Sequence, residues 1–77
     1  MKKYAIVKCV GWRKTLVSTH QGKYEAVVAL QELCDSLDGY EMWVPIELWK
    51  VNSHFSIAHP TKNTIYIVEP YKKTNYE

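Results

Sequence analysis

Apolar positions between Gly22 and Gly39 recur with the period of an α-helix. At about 100° per residue, one continuous stripe is apolar and contains Ala26, Val27, Leu30, Leu33, Cys34 and Leu37. The opposite side carries Glu25, Val28, Glu32 and Asp35. Gly22 fits the N-cap with Glu25 three residues on, and Gly39 fits the left-handed residue that ends a helix. Because an isolated helix of this length is marginally stable, the stripe predicts burial against a sheet.

The segment before this helix predicts a β-hairpin. Residues 3–10 alternate between two faces, as a strand does. One face is small, with Ala5, Val7 and Cys9, and we expect it to contact the helix because small side chains permit close approach. The other face holds Tyr4, Ile6, Lys8 and Val10. Residues 11–14 predict a turn and residues 15–19 a second strand.

The segment directly after the helix alternates from Tyr40 to Leu48, which favours a third strand. Pro45 cannot donate to a strand ladder and fits an edge, a bulge or the first turn of a short helix. The pattern therefore leaves Pro45 to Val51 open between strand and short helix.

Two further strands complete the predicted sheet. Residues 55–58 and residues 64–69 are rich in β-branched and aromatic side chains, and breaker residues bound both segments. In the last strand we expect Ile65 and Ile67 to face the helix. The polar residues from about 71 onwards predict a loose tail.

Together these elements predict one α+β domain over residues 1–77. A single helix packs on one face of a mostly antiparallel sheet of four to five strands, in the order ββαβββ. This roll resembles the ubiquitin-like β-grasp layout, although the diglycine tail of ubiquitin is absent. In size and layout it also resembles small phage-encoded inhibitors of the anti-CRISPR kind. The roll plan implies that the first and last strands pair in parallel.

Composition is typical of one small soluble domain. The 77 residues are 47% hydrophobic, which suffices for a single core. Lys8 interrupts the apolar run at the N-terminus, and no run reaches membrane length, so we expect a cytoplasmic protein that does not contact membranes. Cys9 and Cys34 form no CxxC motif, and we expect both thiols to be reduced and buried in the same core.

Enzymatic and cofactor chemistry is not predicted. The three histidines and two cysteines lack the spacing of a metal site or a Cys-His pair. The three glycines form no phosphate-binding loop. We therefore predict no catalytic residue, no metal and no cofactor.

The sheet face away from the helix is the first candidate binding surface. On the predicted register it carries Tyr4, Ile6, Val10, Trp43, Trp49, Tyr66 and Val68. A contiguous apolar surface of this kind is typical of an interface, where Trp and Tyr dominate the binding energy. The alternative is that residues 45–53 fold back over this face and form a second core.

Paired cations beside aromatic residues give the second candidate surface. Parallel pairing of the first and last strands would bring together Trp12, Arg13, Lys14, Tyr71, Lys72 and Lys73. Such a patch can contact phosphates and stack on bases, or meet an acidic protein. The alternative is a set of separate solvated charges, and a net charge of +2 does not by itself indicate nucleic acid.

These surfaces favour a small non-enzymatic module that binds a larger protein and inhibits or modulates it. By similarity of type, such a module suits a phage or mobile-element antagonist of a host system. The alternative function is nucleic-acid binding through the basic and aromatic patch. A homodimer joined through the sheet face is compatible with either function.

Overall fold

One helix packs against an antiparallel sheet in the computed structural model of the protein, which describes residues 2–74 and Tyr76. Within these residues the elements are β1 (Tyr4–Val10), β2 (Arg13–His20), α1 (Lys23–Ser36), β3 (Glu41–Met42), β4 (Phe55–Ala58) and β5 (Thr64–Pro70). A short 3₁₀ helix, Ile46–Leu48, lies between β3 and β4. The predicted α+β class and the ββαβββ order are confirmed.

The strand order of the sheet is β2-β1-β5-β4-β3, and every neighbouring pair is antiparallel. In the central pair, Tyr4 lies opposite Pro70 and Val10 lies opposite Thr64. The parallel pairing of first and last strands that the roll plan implied is therefore wrong. The three strands after the helix alternate in direction, so β3 and β5 both run against β1.

The helix buries the stripe that its periodicity predicted. Its fully or almost fully buried residues are Ala26, Val27, Leu30 and Cys34, and Leu33 and Leu37 pack against them. Gly22 is the N-cap, as predicted, in an extended conformation.

The end of the helix differs from the prediction. The helix ends at Ser36, and Leu37 is its C-cap, with an extended backbone whose N–H donates to the carbonyls of Leu33 and Cys34. Gly39 does adopt a left-handed conformation, with φ of +80°, but it forms the turn that follows the helix. A Cβ added at Gly39 would lie 2.5 Å from Nε2 of His59, so the His59 ring also requires glycine here.

The faces of the central strands are reversed from the predicted register. The core beneath the helix is built from the larger side chains of the sheet, Ile6, Phe55, Ile57 and Val68. Tyr4 and Tyr66 pack against this core, whereas Ile65 is 42% exposed on the opposite face. Both faces of β1 and β5 are apolar, so the two-residue period fixed which residues share a face without showing which face the helix covers.

A salt bridge explains why the small residues of β1 are buried on the face away from the helix. The Lys14 ammonium lies 3.0 Å from a Glu69 carboxylate oxygen. Lys14 pairs with Cys9 and Glu69 with Ala5, so the bridge crosses β1 diagonally at the level of Val7. Ala5 and Val7 are both completely buried.

The chain after β3 packs beside the helix. Only Glu41–Met42 are in a strand, and Pro45 precedes the 3₁₀ helix, so the expected strand as far as Leu48 is wrong and the short-helix alternative is correct. Val44, Ile46 and Trp49 pack against the core on the helix side. The Lys23 ammonium donates to the Asn52 carbonyl, which ties the end of this segment to the start of the helix. The alternative in which residues 45–53 cover the opposite sheet face is therefore wrong.

The two cysteines are free thiols in different environments. Cys34 is in the core, and its thiol donates to the carbonyl of Tyr40. Cys9 is only half-buried on the opposite sheet face, so the expectation that both thiols share one core is wrong. Burial raises the pKa of each thiol, and for Cys34 the nearby Asp35 carboxylate raises the pKa further.

The part of the chain that the structure describes contains no helix with the length and apolar character needed to cross a membrane.

Candidate binding site at the hairpin end

The turn between β1 and β2 projects a tryptophan into solvent. Val10 pairs with Arg13, so the turn contains only Gly11 and Trp12 and is shorter than the predicted turn at residues 11–14. Gly11 has φ of +60° and Trp12 has no positive φ, which is the pattern of a type II′ hairpin turn with glycine in its first central position. The Trp12 side chain is 97% exposed.

Two cations and an exposed valine lie beside this tryptophan. A groove of about 330 Å³ is lined by Lys8, Val10, Arg13 and Thr15. Lys8 pairs with Thr15 and Val10 with Arg13, so the four side chains form two cross-strand pairs next to the turn. Lys8 and Val10 lie two and four residues after Ile6 in β1, so their side chains are on the same face of the sheet as Ile6, which is the face that the helix covers. Both side chains remain exposed there.

The loop between β4 and β5 brings a further lysine to this end of the molecule. Thr64 begins β5 opposite Val10, so residues 59–63 lie near the turn of the hairpin. Within the loop, Nδ1 of His59 accepts a hydrogen bond from the Thr61 backbone N–H. The His59 ring also packs edge-on against Tyr40 at 5.4 Å. The loop is thereby anchored to the turn after the helix, and its exposed Lys62 adds positive charge. We name this surface the hairpin end, consisting of Lys8, Val10, Trp12, Arg13, Thr15 and Lys62.

Lys14 is not part of this surface, although it was predicted there. Its side chain turns to the opposite face of the sheet and bonds both carboxylate oxygens of Glu69, at 3.0 and 3.2 Å. That hydrogen bond raises the pKa of Lys14. The Glu69 carboxylate also accepts a hydrogen bond from Tyr76, and burial is the main reason that the pKa of Tyr76 is raised. Lys14 thus has a structural partner inside the molecule.

The remaining cations of the predicted patch lie at the other end of the sheet. Because β5 runs against β1, Tyr71 follows the end of β5 beside Lys3, and its N–H donates to the Lys3 carbonyl at 2.9 Å. Lys72 and Lys73 are exposed there. The expected convergence of these lysines with Arg13 is therefore wrong, since the length of the sheet separates them.

The aromatic residues predicted for the open sheet face lie on the helix side instead. Tyr4 and Tyr66 are half-buried against the core, and Trp49 packs there with its ring 5.2 Å from that of Tyr24 in an edge-on arrangement. Trp43, at 79% exposure, is the solvent-exposed member of the set. Within the same segment, Leu48 and Val51 are also exposed. The exposed apolar side chains of this set thus lie along the segment after β3, not on the sheet face that the sequence predicted.

A larger groove, of about 390 Å³, lies between β4 and β5. Its polar lining is Ser53, His54, Ser56 and Glu69. Glu69 is already engaged by Lys14 and Tyr76. Among residues 2–74 and Tyr76, no group of three or more metal-ligating side chains is placed to hold a metal ion. We therefore consider the hairpin end the stronger candidate, because it combines exposed charge with an exposed aromatic ring.

Sequence reasoning assigned Trp12 and Arg13 to this end and Val10 to the other candidate surface, but it missed Lys8, Thr15 and Lys62. The pairing of Lys8 with Thr15 and of Val10 with Arg13 could have been found from the hairpin alone, because the cross-strand partners follow once Gly11 and Trp12 are taken as the turn. Lys62 depends on the antiparallel pairing of β1 with β5, which local sequence patterns do not show.

No protein-family model, no curated protein and no solved structure is significantly similar to this chain. The case for function therefore depends on the residues of the chain itself.

Proposed function

We propose that this chain is a non-enzymatic protein-binding module that uses the hairpin end as its contact and modulates or inhibits a larger protein by occupying part of its surface. The observation that carries this proposal is the exposure of Trp12 at the tip of a two-residue turn. The chain gains no core packing from a side chain that is 97% exposed. Tryptophan is among the residues that most often supply binding energy at interfaces.

The energy available from this side chain is large for so small a domain. Burying a tryptophan in a partner removes about 150–250 Å² from water, which at about 25 cal/mol per Å² is a gross gain of about 4–6 kcal/mol before the costs of association are subtracted. The tight turn holds the backbone of the tip, so fewer degrees of freedom are lost on binding. Trp12 is therefore suited to fill a pocket on a partner.

The charges around Trp12 favour an acidic rim on that pocket. Lys8 and Arg13 line the adjacent groove, and exposed Lys62 lies at the same end. Cations at the rim of an interface increase the association rate with an acidic surface and lose this effect as salt screens them. We therefore expect binding to have a salt-sensitive association rate and a dissociation rate set mainly by Trp12.

Matched tryptophan variants test this proposal. Wild type, Trp12→Ala and Trp43→Ala are immobilised and used to capture proteins from extracts of the organism that encodes the chain, and the Kd is then measured with the purified partner. Both side chains are highly exposed, so both variants should remain folded, which circular dichroism checks. We expect Trp12→Ala to weaken binding by at least about 30-fold, corresponding to about 2 kcal/mol. Loss of binding only in Trp43→Ala would instead assign the interface to the segment after β3.

A charge variant tests the role of the cations separately. Lys8→Glu combined with Arg13→Glu should slow association at low salt, and the difference from wild type should shrink as salt is raised. An equal effect at all salt concentrations would show that the two side chains act through packing. Lys14 is left unchanged, because reversing its charge would place a second carboxylate beside Glu69.

A further inference from the structure

The antiparallel pairing of β1 and β5 creates a second cationic surface, at the end of the sheet away from the hairpin turn. Tyr4 pairs with Pro70, and the Tyr71 N–H donates to the Lys3 carbonyl, so the residues before β1 lie beside those after β5. Four exposed lysines meet there, which we name the basic end: Lys2, Lys3, Lys72 and Lys73.

Contacts with Tyr76 hold the backbone at Lys72. The rings of Tyr71 and Tyr76 stack with their centroids 5.8 Å apart. The Lys72 N–H donates to the Tyr76 hydroxyl, which in turn donates to Glu69, each at 3.1 Å. Tyr76 therefore lies back against Tyr71, Lys72 and Glu69, and these contacts reduce the freedom that Lys72 loses on binding.

Among residues 2–74 and Tyr76, the carboxylate beside the basic end is engaged by other groups. The nearby carboxylate, Glu69, already bonds the Lys14 ammonium and the Tyr76 hydroxyl. The chain has 10 Lys and Arg residues and 8 Asp and Glu residues. Without the four lysines of the basic end, six cations and eight acids remain, and the formal net charge of the rest of the chain is −2.

We propose that the basic end binds the phosphate backbone of a nucleic acid, without reading its bases. Phosphate contacts require positioned cations, and they do not require an apolar anchor. The exposed large apolar side chains of the described residues, Trp12 and Trp43 among them, lie outside residues 2–3 and 70–74. A protein interface would need such an anchor at its centre, and insertion into a membrane would need one too.

Salt dependence measures the number of phosphates engaged. Binding of a fluorescent 20-base-pair DNA duplex is followed by anisotropy between about 50 and 200 mM salt, with the full chain. If four lysines each contact a phosphate, the slope of log Kobs against log salt should be about −3.6, and affinity should fall about 150-fold over this range. Lys72→Gln combined with Lys73→Gln should flatten the slope by about 1.8.

Lys8→Gln combined with Lys62→Gln is the matched control, since it removes the same charge at the hairpin end. This control should leave the slope unchanged, as should Trp12→Ala, so the proposal is independent of the proposed protein contact. Equal flattening in the control and the basic-end variant would overturn the proposal by showing that net charge alone attracts DNA. Absence of binding to both duplex DNA and a 20-nucleotide RNA at 50 mM salt would also overturn it. So would binding only to phosphatidylserine vesicles, which would assign the basic end to membranes.

Discussion

Two isoleucines on adjacent strands test which face of the sheet carries the core. Ile57 in β4 is completely buried beneath the helix, whereas Ile65 in β5 is 42% exposed on the opposite face. The alternation in the sequence predicted that Ile65 would contact the helix. Replacing either residue by alanine removes the same hydrocarbon, so Ile57→Ala and Ile65→Ala differ only in their surroundings.

The expected losses differ enough to be separated. For Ile57, removing three buried carbons at about 0.8 kcal/mol each gives about 2.4 kcal/mol, and the cavity left behind extends this to a range of about 2–5 kcal/mol. For Ile65 we expect a loss of about 1 kcal/mol, because the exposed part contributes little and an open surface leaves no closed cavity. At about 0.05–0.15 kcal/mol per residue, a chain of 77 residues has about 4–12 kcal/mol of stability in total. Ile57→Ala should therefore remove a large share of it.

Urea unfolding followed by far-ultraviolet circular dichroism measures both losses. The slope m should be equal in the two variants and wild type, so that the midpoints report stability alone. We expect the midpoint to fall much further in Ile57→Ala. A loss in Ile65→Ala equal to or larger than that in Ile57→Ala would refute the assignment of the sheet faces.

Three further predictions concern thiols, glycines and pH. A thiol reagent should label the half-buried Cys9 first, and Cys34 only as fast as the protein unfolds; equal rates measured by mass spectrometry would contradict the burial difference. Gly39→Ala should destabilise the protein more than Gly11→Ala, because both glycines have positive φ but only at Gly39 would the new Cβ meet His59. Removing that ring in the double variant Gly39→Ala/His59→Ala should recover the additional loss of stability. Equal urea midpoints for the two single variants would refute the contact. Burial raises the pKa of Cys34 above its ordinary value of 9.0, so above that pH the folded protein keeps a proton that the unfolded chain loses. The contribution of this thiol to stability should therefore be fully present below about pH 9 and be lost as the pH rises above it. The decrease in stability should be less steep in Cys34→Ala. A urea midpoint that rises between pH 9 and 10 would have the wrong sign.

Local patterns in the sequence were sufficient for the elements themselves. The helical stripe around Leu30 and the strands predicted at residues 55–58 and 64–69 follow from periodicity and breaker residues, and the structure confirms them, with the last strand extended to Pro70. The segment after β3 departs from its alternation because Pro45 cannot join a ladder and instead starts a 3₁₀ turn.

The relations between elements required the three-dimensional structure. In β1, Ala5 belongs to the face with small apolar side chains and Ile6 to the face with larger ones. Only the salt bridge from Lys14 to Glu69, two residues far apart in the sequence, shows why the face with small side chains needs no helix above it. Local patterns in the sequence also do not show whether β1 and β5 pair in parallel or antiparallel. Val10 beside Thr64 is a contact between residues far apart in sequence, and it decided which lysines accompany Trp12.

Direct contact of Trp12 with a partner is the central functional claim, and site-specific crosslinking measures it. Trp12 is replaced by photoreactive benzoylphenylalanine in one variant and Trp43 in another, and each is irradiated in cells of the organism that encodes the chain. We expect a discrete covalent adduct with one protein from position 12 and none from position 43. An adduct from position 43 alone, or none from either position while the unmodified chain still captures its partner, would show that Trp12 is not at the interface.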